Sequence, residues 1–255
     1  MILRPSVPAA PQSPEVQPAW PVIEQTEKSC AAPCWMITQP DHAALSGEIA
    51  AGIGPPLAEA LDPEVIRGIA LHDEGWASFD APMPSAERAP VSFFDVNADT
   101  ALTAWRRSIE IAQSAGPMAG AIVSRHFWRI GSTRIAQGKD GPREIEMLHR
   151  FLAEEQARQK KLVSGSWSQM EAFTDVLQFC DVLSLYLCCG ASENVSFPQQ
   201  FRGASPKLWR VWEGVAADCA VCRFAPSPVS QSMDLAIPAR RFPDGRAEQF
   251  AVVLF

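Results

Sequence analysis

The sequence predicts a mainly α protein, a helical bundle with a small C-terminal β-sheet packed on it, and three observations carry that expectation. Between residues 38 and 189 apolar residues recur at three- and four-residue spacing over segments long enough for helices. The segment Phe173–Cys189 is apolar on nearly every side, as the central helix of a bundle should be. Beyond Gly190 the apolar runs shorten and are bounded by proline, serine and glycine, the punctuation of strands. Three regions follow: a proline-rich leader over 1–33, a helical domain over 34–190, and a small β-rich subdomain of the same unit over 191–255.

Each element has its own signal. In the leader, Ile2-Leu3-Arg4 and Trp20-Pro21-Val22-Ile23 read as short strands, and Cys34–Thr38 as a strand running into a helix. Thr38 and Asp41 form a capping box with Pro40 in the first turn, which places His42 just inside that helix, ahead of the apolar side traced by Leu45, Ile49 and Ile53. A second helix opens at Asp62-Pro63 and runs to Trp76, with Gly75 as terminator. Val65, Ile69 and Asp73 are spaced i, i+4, i+8, so a carboxylate lies in line with the core stripe. The proline-rich stretch from Phe79 to Asp95 reads as a loop long enough to cover a site.

Asp99–Ala115 forms a helix closed by Gly116-Pro117, and Met118, Ile122 and His126 set the inner register of the next. From Gly141-Pro142 a helix runs to Leu162 with Ile145, Leu148, His149, Leu152 and Gln156 as its inner stripe. Asp181 stands near the middle of Phe173–Cys189, in register with Leu177 and Leu185, and Gly190 closes that helix. Cys219–Phe224, Asp234–Pro238 and Gln249–Phe255 read as strands.

Composition limits the function. A chain of 255 residues with 47% hydrophobic and 20% charged residues is long and apolar enough for a full core. A net charge of -7 argues against a nucleic-acid partner, where a basic stripe is expected. No signal-peptide pattern and no apolar run of about 20 residues is apparent, so no membrane partner and a cytoplasmic location are expected. Among seven cysteines, Cys30 and Cys34 (C-x3-C) with Cys219 and Cys222 (C-x2-C) could offer four thiolates to zinc. The two pairs lie far apart in sequence and lack turn glycines, so reduced, partly buried thiols are the simpler expectation.

A lone buried carboxylate costs several kcal/mol unless it is paired, hydrogen-bonded or ligated, so Asp73 and Asp181 need partners. The inward ionisable groups are, in chain order, His42, His72 with Asp73, His126, His149 and Asp181, and they include all four histidines. Imidazoles and carboxylates are ligands that divalent transition metals prefer, and facing helices are where they converge. The expected cofactor is Fe, Mn, Zn or Ni, one or two per chain. Asp73 is a catalytic candidate as ligand and orienter of the nucleophile, Arg125 as a clamp on an anionic oxygen, and Gln156 as a substrate-orienting group. Glu74 and Trp76 are placed to line the mouth.

This order of residues resembles the HD superfamily of metal-dependent phosphohydrolases, in which a His, a His-Asp doublet and a late Asp are ligands. The resemblance implies His42, His72, Asp73 and Asp181 in those roles and an HD-like helical bundle. More closely, "ITQPDHAALSG", "IALHDEGW", "VSRHF", "FLAEEQ" and "DVLSLYLC" resemble segments of the DUF3891 family, over roughly residues 34 to 255. Three functions stay open: an HD-type hydrolase of a phosphate ester or nucleotide-like anionic small molecule; an HD-type di-iron oxygenase, since His126 and His149 stand where such enzymes place two further ligands; and a non-catalytic binding or regulatory module with a buried His/Asp network. No glycine-rich phosphate loop or nucleophile elbow competes.

Overall fold

The computed structural model describes residues 1–4, 15–28, 34–54, 61–82, 84, 89–163, 165–199, 205–211 and 219–255. Its elements run β1 (Ile2–Arg4), β2 (Gln17–Pro18), α1 (Ala19–Lys28), β3 (Cys34–Ile37), α2 (Gln39–Gly52) and α3 (Pro63–Ala70). A 3-10 turn (Glu74–Trp76) leads into α4 (Ala77–Asp80), and another follows at Phe93–Asp95. The long helices are α5 (Ala98–Ala115), α6 (Pro117–Gln137), α7 (Pro142–Leu162) and α8 (Trp167–Cys189). Strands β4 (Val195–Ser196), β5 (Lys207–Val211), β6 (Cys219–Ala225), β7 (Met233–Phe242) and β8 (Ala247–Leu254) complete the chain.

The expectation of a helical bundle carrying a small C-terminal sheet is overturned. A single eight-stranded mixed sheet runs β1-β3-β7-β8-β6-β5-β4-β2, parallel at β2–β4 and β6–β8 and antiparallel elsewhere. Three of its strands come from the first 37 residues, with Ile2 opposite Ile37 and Cys34 opposite Phe242. Strands of two to four residues have no alternation to read, and their pairing, β1 with β3 and then β3 and β2 with strands some two hundred residues away, is a tertiary choice. The long strands do alternate: Leu235, Ile237 and Ala239 of β7 and Phe250, Val252 and Leu254 of β8 are buried, and the residues between them face outward.

The buried face of the sheet receives α2 on β7 and α8 on β1, and α5, α6 and α7 pack on the far side of that pair. Helix α8 is long and apolar enough to cross a membrane by length and composition, but 72% of its apolar window is buried inside the molecule. The Trp20–Ile23 segment, expected as a strand, is the first part of α1. Ala19, Val22, Ile23 and Glu27 bury one helical side, and Pro21 falls in the first turn, where its missing N–H is tolerated. Of the cysteines weighed for zinc, Cys34 and Cys222 are buried, and Cys30 lies outside the described residues.

Several helix ends follow the local signals. Thr38 Oγ1 accepts from Asp41 N, Asp62 caps α3 through Glu64 N, and Gly190 closes α8 at φ 69°. The Asp62 helix is shorter than expected: it ends at Ala70, and His72 and Asp73 lie in the turn beyond it. Gly75 is not a terminator. Its backbone lies against α5, donating to Ser108 Oγ at 2.9 Å, and a β-carbon there would collide with the Ala104 carbonyl.

Candidate metal centre

Small residues let the helices that carry the histidines approach closely. A β-carbon on Gly47 of α2 would stand 2.5 Å from that of Ala70 at the end of α3, and one on Gly68 would stand 2.9 Å from Ala119 Cα of α6. These contacts bring three imidazoles together, with ring centroids 5.0 Å apart for His42 and His72 and 5.4 Å for His72 and His126, each pair edge to face. Asp73 enters from the turn after α3 and Asp181 from α8. All five residues are buried.

The His72 ring is fixed by its neighbours. Nδ1 lies 2.8 Å from the Ile69 carbonyl, which can only accept, so Nδ1 carries the hydrogen. The lone pair of the neutral ring then sits on Nε2, which is buried and makes no hydrogen bond. Its nearest polar neighbours are Asp181 Oδ1 at 3.4 Å and Asp73 Oδ2 at 3.8 Å. A lone pair facing two carboxylate oxygens requires positive charge between them. In the metal-free protein a proton supplies it: burial alone would depress the His72 pKa, but the charges of Asp73 and Asp181 outweigh burial and raise it to about 9.

The rest of the cluster shares that electrostatic logic. His42 Nε2 is 2.9 Å from Asp73 Oδ2 and 3.9 Å from Asp181 Oδ1, and its Nδ1 is 2.8 Å from Ser184 Oγ. Trp76 Nε1 donates to Asp73 Oδ1 at 3.1 Å, leaving Oδ2 to face the imidazoles. His126 Nε2 is 3.8 Å from Asp181 Oδ2, and its Nδ1 is buried without a partner. Burial and the neighbouring imidazoles lower His126 to about 4, so this ring stays neutral. Burial would raise Asp181, but His72, His126 and His42 hold its carboxyl down at about 2.

Four of the donor separations fall in the range found around a metal ion. Ligands about 2.1 Å from a metal stand about 3.0 to 3.4 Å apart when adjacent and about 4.2 Å apart when opposite. The imidazole-to-carboxylate distances are 2.9 Å for His42 Nε2 to Asp73 Oδ2, 3.4 Å for His72 Nε2 to Asp181 Oδ1, 3.8 Å for His72 Nε2 to Asp73 Oδ2 and 3.9 Å for His42 Nε2 to Asp181 Oδ1. Two overlapping groups, His42 with His72 and Asp73, and His72 with His126 and Asp181, each hold donor atoms within 4.8 Å of one another and could hold a metal ion. The imidazoles are sealed, at most 2% exposed, whereas the side chains of Asp73 and Asp181 are 12% and 10% exposed. The small part of the cluster open to solvent is therefore on its aspartate side chains.

Other residues proposed from the sequence lie elsewhere. His149 and Gln156 are exposed on α7, outside both groups. The stripe that α7 buries is Leu148, Phe151, Glu155 and Gln159, about one position round from the apolar pattern, because Phe151 packs on Trp105 and Gln159 donates to Ser124 Oγ at 2.9 Å. Arg125 is bound to Glu171 at 2.8 Å and lies over the Trp128 ring, so its guanidinium is committed to the α6–α8 surface. A cleft of about 240 Å³ between β7, β8 and the start of α2 is lined by Thr38, Asp41, Arg240 and Glu248 among others, and by none of the clustered residues.

Trp76, expected to line the mouth, is buried and donates to Asp73 Oδ1, and Ser46 and Ser184 join the site without having been singled out from the sequence. The available signal was their spacing from the candidate ligands, four residues after His42 and three after Asp181, on faces that are otherwise apolar. No curated protein and no solved structure matches the chain. A family model, described as a protein of unknown function (DUF3891), matches residues 26–243. That match covers most of the chain and includes every clustered residue, and the chain belongs to the DUF3891 family.

Proposed function

We propose that the cluster is a mononuclear metal centre and that the protein is a metal-dependent hydrolase of the HD type, acting on an anionic small molecule such as a phosphate ester or a nucleotide. The observation that carries the metal reading is His72 Nε2, a buried ring nitrogen without a hydrogen-bond partner that faces two carboxylates while Nδ1 is committed to a backbone carbonyl. The order His, His-Asp, Asp supports the HD assignment. His42, His72, Asp73 and Asp181 would hold the ion, with His126 on the second oxygen of Asp181. When bound, such an ion polarises a phosphoryl oxygen and lowers the pKa of water.

The chain's own residues have separate tasks. Trp76 fixes which oxygen Asp73 offers to the cluster. The imidazoles exclude water from the rear, so an anion approaches from the side of the two carboxylates, where a cation is needed to offset their charge. With His149 exposed, only three imidazoles converge, which favours one ion over the six-ligand, di-iron arrangement. Fe, Mn, Zn and Ni all suit this donor set.

Elemental analysis of wild type against His72→Ala, paired with release of p-nitrophenol from p-nitrophenyl phosphate and of phosphate from nucleotides, tests the proposal. One ion per chain in wild type, none in the variant, and hydrolysis lost with the ion are expected. Equal metal content in both, or none in either, sinks the metal centre and leaves a self-neutralised His72–Asp73–Asp181 network. Metal without hydrolysis sinks the phosphoesterase reading alone.

A further inference from the structure

Behind His42, on the side away from Asp73, stands a pair of serine hydroxyls. Ser184 Oγ lies 2.8 Å from His42 Nδ1, 2.8 Å from Ser46 Oγ and 2.9 Å from the Asp181 carbonyl oxygen. Ser46 Oγ lies in turn 3.0 Å from the His42 carbonyl and 3.4 Å from that of Cys180. Both serines are fully buried. Ser184 sits one turn after Asp181 on α8, and Ser46 one turn after His42 on α2, so the pair joins the two helices at the level of the cluster.

A hydroxyl has one proton and two lone pairs. The Ser184 proton has three acceptors within reach: the Asp181 carbonyl, Ser46 Oγ and His42 Nδ1. If it goes to the carbonyl, or to Ser46 while Ser46 donates onward to the His42 carbonyl, His42 Nδ1 must be the donor and the Nε2 lone pair faces the cluster. If it goes to Nδ1 instead, a neutral His42 carries its hydrogen on Nε2, donates it to Asp73 Oδ2 at 2.9 Å, and cannot ligate. His72 has no such choice, because Ile69 offers it only a carbonyl.

We propose that Ser184 is a positioning residue that selects the ligating tautomer of His42, with Ser46 as its support, an inference that rests on the metal reading above. Helix α8 thereby supplies one ligand directly through Asp181 and orients a second, on another helix, through a hydroxyl one turn away. Hydrogen bonds to the far nitrogen of a ligating imidazole set its tautomer and orientation, and their loss costs about 10- to 100-fold in metal affinity.

The test uses the full chain with ring-labelled (15N) histidine, tractable because there are four histidines. Zn2+ affinity is measured by chelator competition, and long-range proton–nitrogen spectra of the Zn2+-loaded protein read the tautomers. Wild type should show His42 protonated at Nδ1. Ser184→Ala should weaken Zn2+ binding about 10- to 100-fold and lose that signature, and Ser184→Thr, which keeps the hydroxyl, should restore both. Ser46→Ala, which retains Ser184 and removes one of its acceptors, should weaken binding by less and gives an independent reading if Ser184→Ala does not fold. Unchanged affinity and unchanged His42 signals in Ser184→Ala or Ser46→Ala, in a protein that does bind Zn2+, overturn the positioning role and leave the metal centre standing. Absence of Zn2+ binding by wild type overturns both.

Discussion

Two buried carboxylates in this protein meet opposite fates. Glu27, at the end of α1, accepts from Leu3 N at 3.0 and 2.8 Å and from Ser92 Oγ at 2.7 Å, with Cys189 Sγ at 3.7 Å. These donors are neutral, and they tie β1, the Ser92 turn and α8 to one side chain. Burial outweighs them and pushes the Glu27 pKa up to about 7. Asp181 is buried to a similar degree, yet imidazoles surround it and hold its pKa at about 2. Neutral donors satisfy a carboxylate's geometry without satisfying its charge, and the outcome is a latch that favours the protonated acid. Imidazoles can satisfy the charge, and in their neutral form they offer lone pairs to an ion. The type of donor around a buried carboxylate, more than its burial, separates a structural latch from a candidate ligand site.

The largest effect expected from that contrast is on metal content. Asp181→Ala should take the protein from one ion per chain to none and abolish the chelator dependence of stability that the wild type shows. Elemental analysis and thermal melts with and without a chelator check this. A loss of roughly 3 to 5 kcal/mol with no chelator dependence in the wild type would mean that Asp181 is a structural hub, and the contrast with Glu27 would collapse.

Glu27→Gln should leave metal content intact and act on the pH dependence of stability. The folded state holds a proton on Glu27 that the unfolded chain gives up near 4.5. The contribution of this group is therefore fully present below pH 4.5 and is lost as pH rises through about 7. At 1.36 kcal/mol per pKa unit the swing is roughly 3 kcal/mol. Melting temperatures of the two proteins between pH 4.5 and 8 should diverge, with the variant's curve flatter. Parallel curves would show that Glu27 is not the group that titrates.

The smallest effect is expected at His149→Ala. Metal content should not change, and stability should stay within about 0.5 kcal/mol, as for most exposed positions. A drop in metal stoichiometry would return His149 to the site and reopen dinuclear chemistry.

Much of the site was legible because its signals are local. The Thr38–Asp41 box sets the start of α2 and so the inward turn of His42, and Met118 and Ile122 fix the register of His126. On α7 the same reasoning went astray, since the helix buries polar Glu155 and Gln159 where an apolar pattern would have marked the inner side. Arg125 misled for a different reason. A long side chain beside a ligand has many acceptors within reach, and Glu171, nearly fifty residues later, captures it.

By itself the sequence determined the chemical identity of the donors, their chain order and most of the long-helix boundaries, because capping residues and helical periodicity act over a few residues. Tertiary structure alone decided the eight-stranded sheet, since strands as short as Ile2–Arg4 gain their hydrogen bonds only from distant partners. It also decided which imidazoles meet: the contacts of Gly47 with Ala70 and Gly68 with Ala119 set helix separations that no local pattern encodes. And it decided their tautomers, because whether a ring nitrogen faces the Ile69 carbonyl or the Ser184 hydroxyl depends on packing between helices as well as within them.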